Sequence, residues 1–258
     1  MKRLDDRVCV VTGSAKSIGL GIATCYCELG AKVAMIDVDP KVHESAEKLR
    51  EKGYQVLDYT LDVTCRDKVA QTFEDIRSKL GPIYALANVA GIVSQHPIPE
   101  VTTEEWERIM SVNVYGSFYC IQAALPDMQN AKEGKIINFS SKSGKTGSAL
   151  MVPYSSAKGA VIAMTQAVAY EIAKYNINCN CLCPGITDDT GVWDNVSAGY
   201  IHNLQMARDK VVDKFTAKVP LGRLASVADV VDFTEFLTVS GDYCTGQAFN
   251  ISGGREMH

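Results

Sequence analysis

Short, mostly apolar runs alternate with amphipathic stretches along almost the whole of this 258-residue chain. Residues 8–12, 32–36, 55–61, 84–88, 135–140, 177–182 and 247–251 read as strands, each a brief run rich in aliphatic side chains. Between them, 18–29, 41–52, 66–80, 103–128 and 152–175 carry the three-to-four-residue apolar spacing of helices. Thr102-Thr103-Glu104-Glu105 supplies a capped start for the fourth of these. Strands this apolar need cover on both faces, which calls for a parallel sheet with helices on either side and right-handed crossovers. No repeat or low-complexity linker interrupts the alternation. The expected fold is α/β: one doubly wound parallel-sheet domain spanning residues 1–258.

Sheets of this kind bind ligands beyond the C-terminal ends of their strands, at the point where strand order reverses. Gly13, Asp37, Asp62, Asn88, Ser141 and Pro184 all fall at or just past those ends. The turn Thr12-Gly13-Ser14-Ala15-Lys16-Ser17-Ile18-Gly19 joins the first strand to the first helix. Glycine there lets backbone amides approach a pyrophosphate, which the helix N-terminus stabilises, although any tight strand-to-helix turn also uses glycine. Asp37 closes the second strand. A carboxylate at that point accepts both ribose hydroxyls of NAD and repels a 2′-phosphate; its other reading is a cap for the turn at Asp39-Pro40. NAD is therefore the expected cofactor, ahead of NADP. Asp62 and Asn88 taken singly also read as turn residues.

Tyr154 and Lys158 stand four residues apart in Tyr-Ser-Ser-Ala-Lys, on one face of a predicted helix, and Ser141 lies thirteen residues before the tyrosine. A cation beside a phenol favours phenolate, so Lys158 is expected to lower the Tyr154 pKa and fit it for proton exchange with an alcohol. Joined to a dinucleotide site, that pair makes a carbonyl/alcohol oxidoreductase.

Composition excludes several other classes. Net charge is −4, with 22% charged residues spread along the chain and no basic block of the kind that marks nucleic acid or anionic membrane as partner. The N-terminal apolar stretch is too short and too acidic-flanked for a signal peptide, and no run reaches membrane-spanning length, so a cytoplasmic protein is expected. The nine cysteines include no Cys-x-x-Cys, and Cys179, Cys181 and Cys183 share one face of a strand as buried thiols would. His43, His96, His202 and His258 are scattered, and no metal site is indicated.

In order and approximate spacing, the glycine turn, Asp37, Asn88-Val89-Ala90-Gly91, Asn113, Ser141, Tyr154/Lys158 and Pro184-Gly185 resemble the short-chain dehydrogenase/reductase family over essentially the full chain. The resemblance implies a Rossmann-type fold and hydride transfer between a substrate carbon and nicotinamide. It implies that Tyr154 is the general acid/base, Ser141 hydrogen-bonds the substrate oxygen, and Lys158 also binds the nicotinamide ribose. It implies that Asn113 holds a water linking the lysine to solvent; a buried helix-capping role is the competing reading. The cofactor would lie against Gly13, Lys16, Ser17, Ile18, Gly19, Asp37, Asp62 and Val63, then Asn88, Ala90 and Gly91, and finally Tyr154, Lys158, Pro184, Gly185 and Thr187. Three positions depart from the family pattern. Ser17 replaces the second turn glycine, Val89 replaces a frequent asparagine, and the usual threonine after Pro184-Gly185 is displaced, leaving Thr187 or Thr190 for the carboxamide.

A substrate loop is expected over 187–216. Its Asp188, Asp189, Trp193, Asp194, Asn195, Tyr200, His202 and Asn203 suit a hydroxyl-rich substrate, or equally a wet surface. Ser143 and Trp193 are the candidate substrate contacts. Segments around Ser141 to Lys145, Lys218 to Leu221 and Tyr243 to Gln247 are similar to sorbitol-6-phosphate and other sugar-alcohol dehydrogenases of the family. Lys142, Lys145, Arg208 or Lys210 would then meet a phosphate, plain solvent exposure being the alternative for the first two. The expected activity is NAD-dependent interconversion of a polyol, or its phosphate, and a ketose. Rivals are reduction of acetoin, a steroid or a β-ketoacyl thioester, and, in another class, an NAD-sensing binding protein on the same fold. Small residues along 152–175 resemble the helix pair through which the family forms homotetramers. The tail 253–258 is short enough to fray or to reach a neighbour.

Overall fold

The computed structural model describes residues 4–188, 190 and 208–257. Its strands are β1 Val8–Thr12, β2 Lys32–Asp37, β3 Val56–Thr60, β4 Ile83–Asn88, β5 Gly134–Phe139, β6 Ile177–Pro184 and β7 Ala248–Ile251. They form one seven-stranded sheet in the order β3-β2-β1-β4-β5-β6-β7, and every described pairing is parallel. The order reverses between β1 and β4, where a ligand crevice is expected.

Side chains along β1 show why the sheet is doubly covered. Cys9 and Val11 enter one apolar cluster, with α1 (Ser17–Glu28), α2 (Lys41–Arg50) and the C-terminal helix packed on it. Val8 and Val10 enter another, against α3 (Arg66–Leu80), α5 (Gly116–Ala131) and α7 (Val152–Ile172). Period-two alternation thus feeds two cores rather than one core and solvent. Cys179, Cys181 and Cys183 are buried free thiols on β6, as the sequence pattern suggests.

The structure departs from the expected elements at several points. The stretch 103–128 is two helices, α4 (Thr103–Met110) and α5, joined by a π turn at Ser111–Tyr115. The described end of the 187–216 stretch is helical, α8 (Arg208–Thr216). Two further helices carry no sequence expectation: α6 (Lys142–Thr146) and α9 (Val227–Val239). Five residues are too few for an apolar period, which hides α6. Ser226 and Asp229 form a reciprocal capping box that marks the start of α9.

One half-buried ion pair pins the helices of the second core to the sheet. Asp127, 7% exposed on α5, accepts from Arg77 Nε of α3 at 2.6 Å and from the Ile83 backbone amide of β4 at 3.1 Å. Removing the carboxylate strands the buried Ile83 amide, while Arg77 keeps its bonds to Glu74 and the Ala123 carbonyl. Asp127→Ala should lower the unfolding free energy in urea by about 2 kcal/mol with an unchanged m-value, and Asp127→Asn should lose less because it still accepts from Ile83.

Candidate active site

The C-terminal edge of the sheet opens into a cavity of about 670 Å³. Gly13, Lys16, Ser17, Ile18, Gly19, Asp37, Asp62, Val63 and Ala90 line it on the side of β1 and β2, and Gly91, Asn113, Ser141, Ser143, Tyr154, Lys158, Pro184, Gly185 and Thr187 on the side of β5 and β6. Trp193 lies outside the described residues, as does most of the expected substrate loop.

The first-strand turn is built for close backbone approach. Gly13 adopts φ +67, and a Cβ there would come within 2.8 Å of the Ala90 amide nitrogen. Thr12 at the end of β1 ties the neighbouring turn down, its hydroxyl accepting from the amides of Val89 and Ala90. Ser17 sits at φ +52, the left-handed region that glycine enters freely, so its departure from the family pattern carries backbone strain. Asp37 is held from two sides: Oδ2 accepts from the Ala15 amide of the glycine turn and Oδ1 from the Asp39 amide of its own loop, each at 2.9 Å. The capping reading of this residue is thus realised, and the same carboxylate also faces the cavity. Asp62 accepts from the amide and hydroxyl of Thr64, an Asx turn at the cavity rim.

Asn88 does not join this wall. Its amide donates to Asn138 Oδ1 at 2.9 Å and to the Ser117 carbonyl, bracing β4 against β5 and α5. Lys145 also turns away, its ammonium donating to the Ala248 carbonyl. Lys142 does reach the cavity, where it donates to Ser148 Oγ, and Ser148 in turn meets Ser143 Oγ at 2.8 Å. Neither lysine is the freely solvated side chain of the alternative reading.

The reactive corner is assembled by α6 and α7 at the end of β5. Ser141 is the N-cap of α6, its hydroxyl accepting from the Ser143 amide. Pro153 occupies the first turn of α7, where no amide hydrogen is needed. Tyr154 follows, and Lys158 lies one turn later. Lys158 is tied twice to β5: its Nζ donates to the Phe139 carbonyl at 2.8 Å, and its own carbonyl accepts from Ser140 Oγ at 2.7 Å. Its ammonium stands 5.7 Å from the Tyr154 ring centroid. Asn113 sits in the π turn, its amide donating to the carbonyls of Ile92 and Ile109 at 2.9 Å each. Its buried Oδ1 has no partner among the described residues, and neither has Thr187 Oγ1, whereas Thr190 donates to the Thr187 carbonyl.

Electrostatics overturn one expectation. Burial pushes the Tyr154 phenol up to about 12, opposed by a hydrogen bond from Ser141, and the same burial pushes Lys158 down to about 8. The lysine does not pull the phenol down. Its Nζ is aimed at the Phe139 carbonyl, and desolvation outweighs what a cation over the ring face supplies.

Against known proteins, residues 7–200 match the family described as short chain dehydrogenase. The chain belongs to that family. Sorbitol dehydrogenase of Cereibacter sphaeroides is 32% identical over 257 residues, covering 99% of each chain. Among solved structures, NAD+-bound xylitol dehydrogenase superposes with a TM-score of 0.93 at 28% identity, over 98% of this chain and all of the other. Actinorhodin polyketide ketoreductase with NADPH reaches the same TM-score and identity, over 98% of each. As a short-chain dehydrogenase, this protein is an oxidoreductase acting on alcohols and ketones.

The structure also brings in wall residues that sequence reading did not single out: Val93, Arg108, Val112, Met151, Ile186 and Phe215. The three-residue spacing of Val212 and Phe215 is the one pattern that points to the last of them.

The lysine's environment sets a testable pH dependence. Lys158 holds its proton up to about 8 in the folded chain, against an ordinary value of 10.5. Between those values the unfolded chain binds more protons, so stability rises with pH there, and below pH 8 the full cost of burying the charge is present. Lys158→Met should therefore raise the thermal midpoint at pH 7 relative to the parent, with the gain shrinking between pH 8 and 10.5. A variant less stable than the parent at pH 7 would refute burial as the dominant effect.

Proposed function

We propose that this short-chain dehydrogenase uses NAD to interconvert a polyol and a ketose, with Tyr154, Ser141, Lys158 and Asn113 at the reacting centre. The observation that carries the reading is the convergence of Tyr154 and Ser141 on one cavity whose other end is a glycine turn and Asp37.

The cavity suits a dinucleotide on physical grounds. At Gly13 the backbone is approached so closely that a Cβ has no room, and Lys16 gives α1 no side-chain cap, leaving that helix start for a pyrophosphate. The two amides on Asp37 fix its carboxylate for ribose hydroxyls, and the adjoining Val38 is apolar, which supports NAD over NADP. Thr187 offers the unpartnered hydroxyl to the carboxamide, since that of Thr190 is already bonded to a carbonyl. When bound, NAD would supply the hydride acceptor and, in its oxidised form, a positive charge near the phenol.

The protein's own part is proton transfer and orientation. In reduction Tyr154 gives its proton to the substrate oxygen; in oxidation it first releases that proton towards solvent and then takes the proton of the substrate hydroxyl, while Ser141 donates to the oxygen where charge develops. With NAD bound, Lys158 would hold the nicotinamide ribose, and a water on the unpartnered Asn113 Oδ1 would carry the proton to solvent.

Ser143, Lys142 and Ser148 make a polar corner beside Ser141 that suits a hydroxyl-rich substrate and would also meet a phosphate on it. Facing it, Val93, Met151, Ile186 and Phe215 are apolar, which favours a second reading, a small ketone such as acetoin. A homo-oligomer built on α5 and α7 is proposed as well, supported by exposed Tyr115, Phe118 and Tyr170 on that face.

Tyr154→Phe should cut turnover by about a thousandfold or more while calorimetric NAD affinity stays within a small factor. Asp37→Ala should raise the NAD Michaelis constant and relax discrimination against NADP; an unmoved preference would sink the ribose assignment. Absorbance at 340 nm with sorbitol, galactitol, sorbitol 6-phosphate and butanediol decides the substrate. Turnover confined to the diol would favour the second reading.

A further inference from the structure

We infer that Arg255, near the C-terminus, is a positioning residue for the substrate end of the cavity. It holds Phe215, and with it α8, against the cluster that contains Tyr154. The inference rests on the cavity being the active site of the proposed reaction.

Phe215 lines the cavity and packs in one apolar cluster with Ile109, Met151 and Tyr154. The Arg255 guanidinium lies over this ring, 5.5 Å from its centroid. That side chain is only 15% exposed, and it reaches Glu256, itself 7% exposed, at 3.4 Å. A guanidinium this desolvated stacks on an aromatic face more firmly than an exposed one.

The backbone behind it is a closed hook. The Glu256 amide donates to Ser252 Oγ, and its carbonyl accepts from Asn250 Nδ2 and from Ser252 Oγ. The Arg255 amide donates to the Ser252 carbonyl, and Leu221 donates to the carbonyl of Gly253. The tail therefore folds onto its own chain, anchored to the end of β7. Arg255 does not line the cavity, and the turn at Gly13 and Asp37 belongs to its other end. Its loss should consequently be felt by the substrate and not by the dinucleotide.

The test combines kinetics with a readout that needs no turnover. Arg255→Ala should raise the Michaelis constant for the alcohol by about tenfold, leave kcat within a small factor and leave the calorimetric NAD constant unchanged. Hydrogen exchange of the free protein should show faster exchange over residues 212–216 in that variant. Arg255→Lys, which keeps a cation, should recover most of both effects, while Arg255→Met, which keeps only the apolar stem, should not. Phe215→Leu should reproduce the rise in Michaelis constant, and combining it with Arg255→Ala should add little, since one contact is being removed twice.

Unchanged exchange over 212–216, full recovery by methionine, additive effects of the two sites, or a parallel loss of NAD affinity would each overturn the assignment. If Arg255→Ala does not fold, the lysine and methionine variants carry the comparison. A parent protein inactive on every alcohol would count against the proposed reaction, while the exchange result would still decide the Arg255–Phe215 contact.

Discussion

Both faces of the sheet are sealed by helices, and the rest of the molecule follows from that constraint. A strand such as β1, buried at all five positions, leaves a polar side chain no way into solvent along its length. Polar chemistry is possible only where the strands stop. The chain meets this requirement strand by strand: Thr12, Asp37, Asn88 and Pro184 close their strands, and Ser141 follows β5 by two residues. Parallel strands deliver all those ends to the same edge, so groups far apart in sequence converge without any long loop having to organise them.

Convergence at a sealed edge has an electrostatic cost. Tyr154 and Lys158 are both buried, and burial disfavours the charged form of each: phenolate for one, ammonium for the other. Alone, the protein keeps the phenol protonated, and the ammonium is the first of the two to lose its proton as pH rises past about 8. What burial secures is geometry. Lys158 is fixed by two hydrogen bonds to the end of β5, and Tyr154 is fixed by the same helix turn. Such preorganisation against the folding energy is what an active site requires, since reorientation at the moment of reaction is then unnecessary.

How much of this was legible in the sequence depends on the range of the interaction. The strand positions and four of the helices could be read because they rest on local periodicity. Tyr154, Lys158 and Ser141 could be read because a helix turn fixes the first two, and a strand end precedes the third. The direction of the Tyr154 shift could not be read: it depends on desolvation by Ile109, Phe215 and other side chains distant in sequence. The partners of Asn88 could not be read for a related reason. A polar residue at a strand end suggests a ligand contact, but its nearest partners, Asn138 and Ser117, are supplied by neighbouring elements. Lys145 likewise follows the reactive serine in sequence and yet bonds to β7. Phe215 was hidden because its position is set by packing on the Tyr154 cluster and by Arg255, forty residues further along.

The π turn shows how a local irregularity serves the same corner. A helix running unbroken from 103 to 131 would keep the regular ladder; here the Gly116 amide instead reaches back five residues to Ser111. Wide turns are rare and cluster at functional sites, because the extra residue is tolerated only where something else holds it. Asn113 supplies that hold, its amide donating to the Ile109 carbonyl of α4 and to the Ile92 carbonyl outside the helix. With both amide hydrogens engaged, Oδ1 can point only one way. It ends so near the Lys158 ammonium that a Cβ on Gly91 would stand 2.7 Å from the first and 3.2 Å from the second. Glycine at 91, asparagine at 113 and lysine at 158 are thus one packing solution spread over three elements, and a side chain of any size at 91 would have to displace one of the other two.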